Sequence, residues 1–230
     1  VLRAYRAQQL DEEKYPNIYR MVRELADQAR IPMPQLWYLP THMPNAFATG
    51  RNPSHAHVAV TEGILELLNE KELRGVLAHE ISHVKNRDIL ISSIAAVIAS
   101  AIGHLAYMMR WATIFSSSED NRKGSILGVV LISIFMPFAA ALIQLAISRS
   151  REYLADESGA EYSEDPLALA SALEKLEYGV KHNHLDTSNP SHTSTAGLFI
   201  MHPFSARGVV SSIFSTHKKK KKRVARLRAM

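Results

Sequence analysis

In the segment "VLAHEISHVKNRD", His79 and His83 stand four positions apart with Glu80 between them. Leu73, Val76, Leu77, Ile81 and Val84 recur at helical spacing through the same stretch, which predicts a helix from Asn69 onward. On that helix the two imidazoles stack on one face, about 40° apart around the axis. Both can then reach one Zn2+ at about 2.0–2.1 Å. Glu80 can face a water held by the same ion, the H-E-x-x-H arrangement in which the glutamate is the general base. The chemistry this suits is hydrolysis of a peptide bond. Zinc lowers the pKa of its water toward about 7 and polarises the carbonyl, while Glu80 takes the proton and hands it to the leaving amine.

A hydrolytic zinc needs three protein ligands and one open position. The chain has no cysteine, so the third ligand must be a histidine or a carboxylate. No third histidine follows at close spacing, and the ligand is expected from another helix: Glu152 in "REYLAD". Asp156 lies one turn further on and can accept the free N–H of a ligating imidazole, fixing its tautomer. One zinc per chain is therefore expected, on His79, His83 and Glu152. The bland alternative is a cluster of helix caps and ion pairs around no ion. A purely structural zinc would want a fourth ligand, and none is evident. Asn86 and Asp88 read as residues that orient backbone and end the helix, and the pairs His55/His57 and His182/His184 as solvent-exposed side chains.

The elements that must position these groups follow from patterning. Residues 15–30 place Ile18, Met21, Val22, Leu25 and Ala29 at helical spacing behind Pro16. Prolines at 32, 34 and 40 leave room only for a short strand over Gln35–Leu39. Strands are predicted around Ala46–Thr49 and His57–Val60, joined by a turn at "GRNPS" into a hairpin near a sheet edge. "SRSREYLADESGAEY" and "DPLALASALEKLEYGV" read as helices, the second opened by Asp165-Pro166. "KHNHLDTSNPSHTSTAG" is polar and reads as a surface loop.

Two apolar runs interrupt this pattern. Ile89–Met109 spans 21 residues and Ser125–Ile147 spans 23, and neither carries Asp, Glu, Lys or Arg. A helix of the shorter length reaches about 31 Å, close to the roughly 30 Å of a bilayer's hydrocarbon. The expectation is a transmembrane hairpin, with Pro137 tolerated in the second span and His104 hydrogen-bonded between helices. A hairpin returns Glu152 to the side that carries His79 and His83. Near the spans that side holds Lys71, Arg74, Lys85, Arg87, Arg149 and Arg151, against Arg110, Arg122 and Lys123 in the connection. The positive-inside bias places it in the cytoplasm.

The net charge of +5 is concentrated at one end, where "KKKKKR" over Lys218–Arg223 leads into "VARLRAM". Such a run suits anionic lipid or a solvated tail. It has no interleaved aromatics and no nucleic-acid module beside it, so no nucleic-acid partner is expected. The absence of cysteine fits a reducing compartment. No n-region or cleavage site precedes Val1, and the expectation is a chain whose N-terminal part is missing.

Taken together, "PNAFATGRNP", "VAVTEGIL", "VLAHEISHVKNRD", "AISRSREYLAD", "DPLALASALEKLE" and the C-terminal "FSTH" with "ARLRAM" resemble the HtpX family, membrane-bound zinc metallopeptidases of bacteria and archaea. CAAX prenyl proteases are more distant relatives. The resemblance implies an α+β, mainly helical fold: a gluzincin-type metallopeptidase domain with a small β-sheet, interrupted by the two-helix transmembrane hairpin. The domain would run over residues 1–88 and 148–230, around a span at 89–109, a connection at 110–124 and a span at 125–147.

The resemblance further implies an endopeptidase of the cytoplasmic (inner) membrane, multi-pass, whose catalytic domain faces the cytoplasm. Its partners would be the lipid bilayer, unfolded or misfolded membrane-protein substrates, and a membrane ATP-dependent protease in the same stress-response pathway. Carried over by position, Asn45, Ala46 and Phe47 would lie on a strand above the zinc, where a substrate backbone can pair. His217 and Arg223 would line the site and stabilise the tetrahedral oxyanion. Family members usually begin with two further membrane helices, and they carry Pro-Pro and acidic residues after the His of "FSTH", where this chain has lysines. Two rival readings remain: an inactive zinc-binding membrane scaffold or receptor, which the intact Glu80 disfavours, and an ion-handling transporter, which would call for charges inside the spans.

Overall fold

A computed structural model describes residues 2, 6–115, 149–182 and 221–230. The described residues belong to two compact units, Val1–Arg87 with Tyr153–Met230, and Asp88–Glu152. The boundary after Glu152 falls inside a continuous helix over 149–163.

In the first unit, helix α1 (Pro16–Ala29) starts at its proline and buries Ile18, Met21, Val22, Leu25, Ala26 and Ala29. Arg30 ends it in the left-handed region, and the N–H groups of Arg30 and Ile31 return to Asp27 and Ala26. A mixed sheet follows, with β1 (Gln8–Gln9), β2 (Gln35–Leu39), β3 (Ala46–Gly50) and β4 (Ala56–Thr61) in the order β1-β2-β4-β3. β2 and β4 are parallel, while β1 on β2 and β3 on β4 are antiparallel. The predicted hairpin is therefore β3–β4, and β3 is the edge strand. Gly50 closes it at φ +140, and a Cβ there would stand 2.3 Å from the His55 carbonyl oxygen.

The strand period of two sends Leu36, Ala46, Ala48, Ala56, Val58 and Val60 into the main core. Leu39, Phe47 and Ala59 form a smaller cluster of buried side chains. Near the sheet, two short elements carried no clear signal in the sequence: β1, and helix α2 (Glu62–Leu67), capped by the Thr61 hydroxyl accepting the Ile64 N–H.

Helix α3 (Glu70–Lys85) is the centre of the unit and packs on α1, on β3 and on helix α6 (Pro166–His182). Asn69 and Glu72 cap it reciprocally, each side chain accepting the other's backbone N–H at 3.0 Å. The buried Glu72 carboxylate also accepts Ser171 and Lys175 of α6, both at 2.7 Å. Burial would raise its pKa, but these partners outweigh burial and hold it below the usual carboxylate range. The helix over 149–163, α5, ends before Asp165, whose carboxylate accepts the Ala168 N–H and starts α6. A last short helix, α7, covers 221–227.

Two glycines let helices approach α3 and its neighbours closely. A Cβ on Gly75 would meet Leu169 at 3.1 Å, and one on Gly159 would meet the backbone of His79 at 3.0 Å. Gly159→Val is therefore expected to push α5 off α3 and cost about 1–3 kcal/mol. Thermal unfolding of the detergent-solubilised protein checks this, and an unchanged midpoint would show that the helices are not so close.

The second unit contains α4 (Asp88–Phe115), which encloses the expected span and runs on past Met109. Over Asp88–Leu105 it is long and apolar enough to cross a membrane, and only 6% of those residues are buried. Leu90, Ile91, Ile94, Val97, Ile98 and Leu105 are exposed, as lipid-facing side chains would be. Ser92 and Ser93 return their hydroxyls to the carbonyls of Asp88 and Ile89 one turn back, which satisfies polar groups within an apolar helix. The expected second span, Ser125–Ile147, lies outside the described residues.

Candidate metal centre

The capped, buried helix α3 fixes where His79, Glu80 and His83 point. The Nε2 atoms of His79 and His83 face each other at 3.2 Å, with their rings edge to face. Two ligands about 2.0–2.1 Å from a tetrahedral ion stand about 3.3 Å apart, so this separation fits a shared metal. Glu152, on the first turns of α5, adds a carboxylate oxygen, and the ligand atoms of the three residues lie within 4.8 Å of one another. Among the described residues this is the one group of its kind. Two imidazoles and a carboxylate, without sulfur, form a donor set that suits zinc. His79 is buried whereas His83 and Glu152 are partly exposed, which leaves one side of the cluster open.

Behind His79 stands the expected carboxylate. His79 Nδ1 lies 3.1 Å from Asp156 Oδ1, close enough for the carboxylate to favour a proton on Nδ1, the tautomer that leaves the Nε2 lone pair for a metal. Asp156 is buried, and burial alone would push its carboxyl up. The neighbouring His79 ring and the Arg223 guanidinium outweigh that and hold it at about 2. Arg223 donates from Nε to Oδ2 at 2.6 Å and from Nη2 to Oδ1 at 2.7 Å, and its Nη2 is 3.4 Å from His79 Nε2.

Glu80 is buried, and its Oε2 accepts the backbone N–H of Ala48 on β3 at 2.8 Å. The register explains why that N–H is available. The Asn45 carbonyl accepts the Thr61 N–H, so residues 45, 47 and 49 bond toward β4, while Ala46 and Ala48 turn their backbone groups to the outer edge. Thr61 pins the start of β3 further, with its Oγ1 accepting the Asn45 N–H at 2.8 Å and donating to the Asn45 carbonyl at 3.0 Å.

The structure thus brings His79, Glu80, His83, Glu152, Asp156 and Arg223 together, with β3 alongside. Asn45, Ala46 and Phe47 are all buried, and Phe47 packs with Leu39 and Ala59. His217 lies outside the described residues. His57 accepts the Trp37 indole N–H, and His55 contacts Asn52 and Arg51 in the hairpin turn, so neither shares the cluster. Asn86 caps α3 while Asp88 begins α4. Ala48 is the participant that residue types could not reveal, because its contribution is a backbone N–H. Only the strand register identifies it.

Residues 12–230 match the model of peptidase family M48. The chain is 53% identical to "Protease HtpX homolog" of Syntrophobacter fumaroxidans over 234 residues, covering 100% of this chain and 82% of that protein. It is 54% identical to "Protease HtpX homolog" of Pyrococcus furiosus, covering 99% of this chain and 78% of that one. The crystal structure of S. mikatae Ste24p shares the fold at a TM-score of 0.62 and 20% identity, over 98% of this chain and 52% of that one.

Proposed function

The chain belongs to peptidase family M48 and is a metallopeptidase, and from that premise we propose that it hydrolyses peptide bonds of misfolded or damaged membrane proteins at the cytoplasmic face, with one zinc on His79, His83 and Glu152. The observation that carries the reading is the pair of facing imidazole nitrogens with the Glu152 carboxylate beside them. A zinc bound there would acidify water and polarise the peptide carbonyl.

The rest of the chemistry belongs to the chain's own residues. Glu80, next in sequence to a ligand and held by Ala48, takes the proton of the attacking water and delivers it to the leaving amine. Asp156 keeps the His79 tautomer that ligates. With the Ala48 N–H held by Glu80, the outward backbone groups of Ala46 and the Ala48 carbonyl are what β3 would offer a substrate strand. Because they are backbone, recognition is tolerant of side chains and suits unfolded segments. Arg223 stands 3.4 Å from His79 Nε2, and His217 is proposed to line the same site on the resemblance alone.

The long apolar helix α4 begins after only Asn86 and Arg87 beyond α3, so chain connectivity ties the metal helix to a membrane span. We place Ser125–Ile147 as the second span of the hairpin. Water chemistry then sits next to the bilayer surface, where loops of membrane-held substrates are presented.

Two outcomes test this. Ala48→Pro removes the outward N–H at an edge position that tolerates proline. It is expected to retain zinc and lose about 10- to 100-fold in kcat/KM, the worth of a hydrogen bond to a charged group; an unchanged kcat/KM would remove β3 from the mechanism. In vesicles, an unfolded domain tethered by one apolar helix should be cut at least about 10-fold faster than the same domain free in solution, through its raised local concentration. Equal rates would argue against a membrane-borne substrate.

A further inference from the structure

We propose that the C-terminal helix α7 is a working part of the metal centre: Arg223 is a positioning residue that holds Asp156, and through it His79, in the ligating orientation. The inference rests on the zinc reading above and gives Arg223 a role beyond oxyanion stabilisation.

Three contacts define that role. Arg223 fills both oxygens of Asp156 with a two-point grip at 2.6 and 2.7 Å, so the carboxylate cannot turn about its own axis. The Oδ1 it grips is the one that faces His79 Nδ1 at 3.1 Å. A guanidinium from 144 positions along the chain thereby sets the angle of an imidazole on α3 through Asp156, and the same Nη2 also stands 3.4 Å from His79 Nε2. The arrangement is buried throughout, with Asp156 at 2% and Arg223 at 9% exposure, so solvent cannot replace the grip if it is lost.

The helix that carries Arg223 is itself fastened for the purpose. Leu227 is buried in the main core. Arg226 pairs with Glu157 at 3.0 Å and lies over the Tyr153 ring, and Arg228 grips Glu174 of α6 at 2.8 and 2.9 Å. Asp156, Glu157 and Tyr153 are all on α5, the helix that also carries Glu152. One short basic helix therefore braces the segment that supplies the third ligand and the support of the first. Arg223 and Arg226 of α7, and Arg228 just past its end, are paired with these acids, which distinguishes this end of the chain from a solvated charge cluster.

The test is zinc affinity, measured by competition with a chromophoric chelator on the full chain in detergent, with kcat at saturating zinc read separately. Arg223→Gln is expected to weaken zinc binding about 10- to 100-fold, the range found when a hydrogen-bond partner behind a metal ligand is removed, and to recover most of its kcat once zinc is saturating. Arg223→Lys keeps the charge without the two-point grip and should recover only part of the affinity. Arg226→Gln, which loosens α7 but leaves Asp156 held, should stay within about 2-fold of wild type.

If Arg223 acts through Asp156, adding Arg223→Gln to Asp156→Asn should cost little beyond Asp156→Asn alone. Wild-type affinity in Arg223→Gln, or equal losses in Arg223→Gln and Arg226→Gln, would overturn the proposal. Full affinity with a kcat that zinc cannot restore would return Arg223 to the oxyanion. A His79→Ala chain that binds zinc as tightly as wild type would instead sink the metal-centre reading beneath it.

Discussion

Glutamine in place of Glu80 is expected to leave zinc bound and to lower kcat by about 10²- to 10⁴-fold, the usual worth of a general base. The substitution is close to isosteric. Its amide oxygen can still accept the Ala48 N–H, so the edge strand keeps the anchor that Glu80 Oε2 provides at 2.8 Å. His79 and His83 are untouched, so the ligand pair at 3.2 Å persists. What disappears is the capacity to take a proton and to return it. Zinc content by atomic absorption, beside kcat on an unfolded protein, separates the two effects. A variant that cleaves at the wild-type rate would place the base elsewhere, and one that loses its zinc would mean that Glu80 holds the metal site together.

Glu152→Ala is expected to be as damaging by a different route, with zinc lost along with activity. Dividing the roughly 10–16 kcal/mol of a four-ligand zinc site among its ligands gives about 3 kcal/mol each, or at least about 10²-fold in affinity. Glu152 is also the one carboxylate of the set, beside two imidazoles. Excess zinc should restore part of the activity of Glu152→Ala and none of that of Glu80→Gln. Competition with a chelator reads the affinity directly. Wild-type affinity in Glu152→Ala would show that the third ligand is another group.

Much of this site was legible because its signal is local. An i, i+4 pair on an amphipathic helix with a capping Asn69 and Glu72 reads from a single stretch, and α3 forms over Glu70–Lys85 as the pattern requires. The hairpin over β3 and β4 reads from its turn and its alternation. Glu152 and Asp156 followed from chemical need: a third ligand, then an acceptor for a ligating imidazole's N–H. What stayed hidden depends on contacts between distant segments. β1 is two glutamines and gains its identity only by pairing with Trp37 and Tyr38. α2 is six residues long and leans on the Thr61 cap. The grip of Arg223 on Asp156 joins residues 67 positions apart, and in a run of lysines and arginines nothing local marks which cation is spoken for. Ala48 acts through its backbone, so its side chain carries no trace of it.

The most direct measurement is a zinc titration of the chelator-stripped full chain in detergent, with cleavage of an unfolded protein followed at each addition. Activity absent from the stripped chain, rising in proportion to bound zinc and levelling at one equivalent per chain, is the expected result. Activity that persists after stripping, or that levels off without regard to zinc occupancy, would contradict a metallopeptidase centred on His79, His83 and Glu152.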